Sequence, residues 1–423
     1  MYKRGRGGDH GKVSETLAPL RRNLDFGPSP SPEHPGLLIR DPFQFSDKAL
    51  VIPPPLIEVL ELFDGTSTRL DLHSALVQMT GQLQVSELAD QLASALQQAG
   101  FLEDATYEAL RNQAYADFAA SPLRAAAMAG GAYPDQAGEL RELFSEYMTP
   151  DPADPALTDV PAPASLIGIA APHVSPWGGA ESYRDAYRAL APDHREKVFV
   201  VLGTSHYGQP ERFGLTRKNF VTPVGEARTE RALVDRLAAA APGAVNMEDY
   251  CHRNEHSIEF QVAFLQHVYG PDVRILPVLC GPFAKSLFEG GLPEDDENVK
   301  RFFGALGELH AAHAKELLWV MGVDMAHVGR RYGHEEPAEA YQAQMLAVSA
   351  RDKERIARLA AGDARGFWDL VQPNQDDLNW CGSAPFYTFL KAVPEARGQL
   401  RRYQHWQIDP ESVVSFAAMS FTG

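Results

Sequence analysis

Residues 197–206 read KVFVVLGTSH. The run VFVVL is short, continuous and rich in β-branched residues, as a strand buried on both faces reads. It ends in Gly-Thr-Ser-His206. Three more runs share that form: SLIGIA at 165–170, then Ala-Pro-His173; VRILPVLC at 273–280, then Gly281; and ELLWVMGVD at 316–324, closing on Asp324 and followed by Met-Ala-His327. Helical periodicity fills the intervals, in ESYRDAYRAL, TERALVDRLAAAA, HSIEFQVAFLQHVY and the segment 338–362, and VVSFAAMS reads as a last strand. Strands alternating with helices predict an α/β fold, a sheet covered by helices.

Open α/β sheets bind ligands in the crevice beyond the strand C-termini. A lone histidine beside a strand is more often a structural hydrogen-bonder. His173, His206 and His327, with Asp324, all stand just past strand ends, and that shared position points to a site if the sheet order brings the strands together. His256, in RNEHSIEFQ, opens a helix with an apolar stripe at Ile258, Val262, Leu265 and Val268. Glu255 and Glu259 there fit ordinary dipole chemistry of a first turn, yet a helix start aimed at the crevice would bring His256 and Glu259 within reach. Cys381, in NWCGSAPFYTFL, precedes a helix from about Pro385, where a thiol can serve as metal ligand or nucleophile. Cys280 closes an apolar strand and reads as a core cysteine. Cys251 lacks a second cysteine at ligand spacing. No P-loop, G-x-G-x-x-G or G-x-S-x-G frame is present.

Composition bounds the rest. The 423 residues carry 39 Lys+Arg and 56 Asp+Glu, a net charge of -17, which argues against a general binder of nucleic acid or anionic membranes. Hydrophobic residues make up 44%, so wholesale disorder is excluded. An odd count of 3 cysteines is no disulfide scaffold and fits a reducing cytoplasm. No apolar run reaches the length of a membrane span. The N-terminal MYKRGRGGDHGK has no apolar core behind it and does not read as a secretory signal.

The chain divides into a small front part and a large back part. Residues 1–35 are polar and Pro-rich and read as a flexible tail. Residues 36–105 hold the strand-like LLIRD, a helical LIEVLELF after three prolines, a second helix in LDLHSALVQMTG and a third in VSELADQLASALQQAG. Short helices with flanking strands suggest a winged-helix-like module. Three basic residues (Arg40, Lys48, Arg69) against ten acidic ones over 36–105 argue against DNA as its ligand. Residues 106–122 read as a linker helix, and the back domain runs over 123–423.

Ordered motifs carry a family resemblance over the back domain. AAAMAGGAYPDQAGELRELFSEYM, LIGIAAPHVSPWGG, VFVVLGTSHYG, TPVGEARTE, NEHSIEFQVAFLQ, RILPVLCG, VMGVDMAHVGRRYG and CGSAPFYTFL resemble the Memo family, specifically AmmeMemoRadiSam system protein B. The resemblance implies the LigB-type α/β fold of class III extradiol dioxygenases. It implies a metal site of His173, His206 and Cys381, with Asp324, His327 and His256 as catalytic pocket residues and Asp324 or His327 moving a substrate proton. Two imidazoles and a thiolate suit Cu, Zn or Fe(II). The segment 36–105 resembles PqqD-like peptide-binding modules, which implies a peptide or protein substrate. The family name implies radical SAM and AMMECR-type partner proteins in a modification pathway. One departure is visible: Val174-Ser175-Pro176-Trp177-Gly178-Gly179 stands where the family has Ala-Gly-Tyr-x-Tyr-Ser-Gly. The expected function is a metal-dependent redox enzyme. A non-catalytic peptide-binding scaffold with a degenerate dioxygenase pocket and a zinc hydrolase are the alternatives.

Overall fold

The computed structural model describes residues 16–150 and 165–423. The chain forms two compact units, Met1–Asp117 and Phe118–Gly423, with the border inside the helix Ala105–Ala120.

In the front unit a three-stranded antiparallel sheet runs in the order Asp25–Pro28, Leu37–Arg40, Ala49–Ile52. It is followed by the helices Arg69–Thr80 and Ser86–Gln98. Thr68 and Asp71 form a reciprocal capping box at the first helix, and Gly81 closes it in the left-handed region that glycine adopts without strain. Leu72, Leu76, Leu92 and Leu96 meet Ile39 and Ile52 in one core. Two expectations change here. LIEVLELF forms 3-10 turns, Pro54–Leu56 and Glu58–Leu62, in place of the expected helix. The tail expected over 1–35 gives way to structure from Thr16 on, since Leu17 and Leu24 join the core and Asp25–Pro28 is a strand. The buried Arg21 fixes this stretch through both carboxylate oxygens of Asp41 and the Gly100 carbonyl. Residues 1–15 of that expected tail lie outside the described residues.

The back unit is α/β, as the alternation of runs predicts. Its mixed sheet includes, in order, His327–Gly329, Ser412–Thr422, Leu166–Ala171, Leu317–Gly322, Val198–Thr204 and Arg274–Cys280. The last four are parallel neighbours, and Ser412–Thr422 is antiparallel to Leu166–Ala171. Both faces are covered. Val200 and Leu202 face a core with Phe302, Leu306 and Phe389, while Phe199 and Val201 face one with Ile258, Val262 and Leu265. Burying each such side chain contributes about 1.5–3 kcal/mol. Pro277 is tolerated inside a central strand for a local reason. On the side away from Val198–Thr204, Arg274 and Ile275 pair with Arg228 and Thr229, whereas Val278–Cys280 pair with Phe213–Leu215. Pro277 sits in the break between these two partners, where no ladder donor is needed.

The polar Arg397–Asp409 pairs with Ser412–Thr422 as a long hairpin. The sequence shows only the second strand of that hairpin as an apolar run. No helix of the described residues is long and apolar enough to cross a membrane.

Candidate functional site

The three strands that end before His173, Asp324 and His206 are adjacent, with Leu317–Gly322 between the other two. Their C-terminal ends open into a cavity of about 560 Å³ lined by His173, His206, His256, Asp324, His327 and Cys381, among others. The helix His256–Tyr269 comes down onto the strand ends because Gly203 and Gly322 have no side chains there. A β-carbon on either would collide with Ser257. Cys381 is held by backbone contacts: the Thr204 hydroxyl donates to its carbonyl at 2.8 Å, and the Gly382 N–H donates to the Asp324 carbonyl at 3.0 Å.

The imidazoles converge. Ring centroids of His173 lie 5.2 Å from those of both His206 and His256, and the latter two stack 5.0 Å apart. Candidate ligand atoms of His173, His206 and His256 lie within 4.8 Å of one another, as do those of His173, Asp324 and Cys381. His173 belongs to both groups. His206 falls in one and Cys381 in the other. The Cys381 sulfur is 3.3 Å and the Asp324 Oδ2 3.4 Å from the His173 Nε2.

Hydrogen bonds set the ring tautomers. The His173 Nδ1 faces the Gly322 carbonyl at 2.9 Å, an acceptor only, so Nδ1 carries the proton and Nε2 keeps its lone pair. The His206 Nδ1 lies 3.0 Å from the Glu255 carboxylate, which makes Nδ1 the donor there too. The His327 Nδ1 faces the carbonyls of Met325 and Asn379 at 3.0 and 3.1 Å. A carboxylate or carbonyl behind a histidine is the arrangement that orients a metal ligand.

Burial drives the electrostatics. It pushes His173 and His256 down to about 3 and His327 to about 4, so all three are neutral at physiological pH. Burial also opposes protonation of His206, but the Glu255 carboxylate outweighs it and the ring titrates above its ordinary value. Burial alone would raise Glu255. His206, His256 and the hydrogen bonds to it hold it well below the carboxylate range. Asp324 rises to about 6 through burial, opposed chiefly by His327 and by the N–H groups of His173 and Val174. Burial and the Asp324 charge push the Cys381 thiol well up.

The sequence misses several contributors. Glu255 is an N-cap, accepting from the Ser257 N–H, and it also orients His206. Its position before the helix was the only signal, and that signal has the ordinary dipole reading. Tyr332 packs edge-on against His327, and Trp406 reaches the cavity wall from the polar strand. The segment that departs from the family motif meets that wall. Trp177, 60% exposed, packs edge-to-face on Trp406 at 4.7 Å. A β-carbon on Gly178 would lie 2.6 Å from the Trp406 ring, so the indole sits where only glycine leaves room.

The family model described as "Memo-like protein" matches residues 124–420. A "MEMO1 family protein" of Aquifex aeolicus (strain VF5) is 24% identical over 388 residues, covering 91% of this chain and 95% of the relative. One from Desulfurococcus amylolyticus is 26% identical over 316 residues, covering 70% and 98%. Among solved structures, an uncharacterized protein of Escherichia coli K12, JW3007, aligns at a TM-score of 0.35 and 11% identity, over 61% of this chain and all of that one.

Proposed function

The chain belongs to the Memo family, and from that premise we propose that the back unit is a metal-dependent redox enzyme related to extradiol dioxygenases, with its metal held by His173, His206 and Cys381. The carrying observation is the set of imidazoles whose Nδ1 protons are committed to carbonyl or carboxylate acceptors, leaving Nε2 atoms for the cavity. The His173–Cys381 pair has the spacing of two ligands on one ion, while His206 groups with His173 and His256 and would have to close on Cys381 when the ion binds. Ligands at about 2.0–2.1 Å (nitrogen) and about 2.3 Å (sulfur) stand roughly 3.1–3.6 Å apart around one ion. The Cys381 sulfur and the His173 Nε2 are 3.3 Å apart.

Two imidazoles and a thiolate suit copper, iron or zinc, and a bound copper or iron would supply one-electron chemistry. The chain's own groups account for the rest. Asp324, near 6, holds or releases a proton at Oδ2, 3.4 Å from the His173 ring. His327 is neutral, and its Nδ1 proton is engaged, so it accepts a proton at Nε2. Met128, Val174, Phe260, Trp406 and Ile408 wall the cavity with apolar surface and limit water around these groups. The same proposal has the front unit hold a peptide, with radical SAM and AMMECR-type proteins as partners. Motif resemblance alone supports that part.

Elemental analysis of protein purified without chelator tests the reading. About one equivalent of copper, iron or zinc is expected in the native protein, and none in the His173→Ala/His206→Ala variant. Native protein without metal, and with no more affinity for added metal than the variant, would sink it. Glu255→Gln keeps the shape behind His206 but removes the charge. It is expected to weaken metal affinity about 10–100-fold, as losses of such supporting partners do, when titrated against a competing chelator. Unchanged affinity would leave Glu255 as a helix cap only.

A further inference from the structure

A second cavity of about 280 Å³ adjoins the first, and the two share His206, Asn379 and Cys381 as lining. Its other lining is predominantly apolar, chiefly Pro282, Leu287, Trp368, Val371, Trp380 and Ala384, with Thr204, Ser205, Asp376 and Ser383 as the polar members. Both indole N–H groups are engaged elsewhere: that of Trp368 donates to Ser286 at 2.9 Å and that of Trp380 to Asp352 at 2.7 Å. Asp376 is occupied as well, by the Arg355 guanidinium at 2.8 Å and the backbone N–H of Trp380 at 2.6 Å. The Ser383 hydroxyl is buried without a hydrogen-bond partner.

Protein interiors leave few voids larger than a water molecule, and an apolar void loses dispersion contacts on every side. Asp376, the Thr204 hydroxyl and both indole N–H groups are committed elsewhere, and the Ser383 hydroxyl is left to meet a water or a polar edge of a ligand. An apolar cavity of about 150 Å³ is enough to hold a benzene ring, and this one is larger. We infer that the second chamber is a binding subsite for an apolar, ring-sized group, aromatic or branched aliphatic, of the molecule whose polar end meets the histidine cluster. That one molecule spans both cavities rests on the proposed function; the chamber itself stands on geometry that needs no metal. Since His206 and Cys381 line both cavities, a ligand with its ring in the chamber has its near end beside those two residues.

The experiment therefore uses metal-free protein, the full chain treated with chelator, and follows 5-fluoroindole by fluorine NMR. One saturable site is expected, retained in His173→Ala. Leu287→Trp and Ala384→Leu fill the chamber from different walls. Each should weaken the site by about tenfold or more, as lost room for a methylene or ring does. Ile408→Trp, which narrows the first cavity instead, should leave it unchanged. Thermal melts identify any variant that fails to fold, and the other filling variant then decides. No saturable binding, binding indifferent to a folded filling variant, or binding lost in Ile408→Trp would each overturn the assignment. Absence of metal in the native protein would sink the redox reading and leave this test untouched.

Discussion

Protein carrying His173→Ala is expected to bind no metal and keep its fold. His173 is common to both candidate ligand groups, so its loss removes a donor whichever group holds the ion. The ring makes one backbone hydrogen bond, to Gly322. Losing that bond and leaving a carbonyl unsatisfied costs about 1–3 kcal/mol, too little to unfold a domain of this size. The companion variants separate the ligand sets. With Cys381 as third ligand, cobalt-substituted native protein shows a thiolate-to-cobalt charge-transfer absorption that disappears in Cys381→Ala and persists in His256→Ala. Proton counting gives a second readout. The thiol is held protonated by burial, so metal binding to native protein should release about one proton more than binding to Cys381→Ala, a difference from which any proton held by His206 cancels. Calorimetry in two buffers of different ionisation enthalpy measures it. No thiolate band, no excess proton over Cys381→Ala, and metal loss in His256→Ala would instead make His173, His206 and His256 the ligands.

The fold and much of the site were legible because their signals are local. Continuous apolar runs announce strands buried on both faces, and His173, His206, Asp324 and His327 sit immediately after such runs. The adjacency of those strands is a property of the sheet order, and the order is set by packing that no single run encodes. Glu255 was legible as an acidic residue at a helix start and illegible as the partner of His206. The same charge satisfies both roles, and only the approach permitted by Gly203 and Gly322 reveals the second. Strand Arg397–Asp409 was hidden for a different reason. It lies against one neighbour in an antiparallel hairpin and keeps many polar side chains half-exposed, so it lacks an apolar run. Trp406, on that strand, therefore entered the cavity wall without a sequence signal.

Arg124 carries the second large effect, and nothing in the sequence marks it. Arg124 and Glu259 are 0% and 1% exposed and form a buried ion pair. The guanidinium also donates to the carbonyls of His252 at 2.8 Å and Glu255 at 2.6 Å. Glu259 accepts from the N–H groups of Ala127 and Met128, both at 2.9 Å, and from the Tyr133 hydroxyl. This knot fastens the segment that contributes Met128 and Ala132 to the cavity wall, and it fixes the backbone of the residue behind His206. Arg124→Met leaves a carboxylate buried without its counter-charge, which should cost about 3–5 kcal/mol of stability, read from urea denaturation midpoints at pH 7. The pH dependence supplies the sharper test. In the native protein burial would raise Glu259, but Arg124 and Tyr133 hold it below the ordinary carboxylate value. Its stabilising contribution is therefore present above the unfolded-state pKa and is lost as pH falls through the lower folded value. Without Arg124, burial prevails and the folded pKa rises above the unfolded one. The variant's deficit is then largest at neutral pH and is relieved as acid protonates the buried carboxyl. The stability gap between native protein and variant should narrow steadily from pH 7 towards the carboxylate range. A gap that is constant with pH, or that widens in acid, would mean that Arg124 acts through its carbonyl contacts and packing, with Glu259 a bystander.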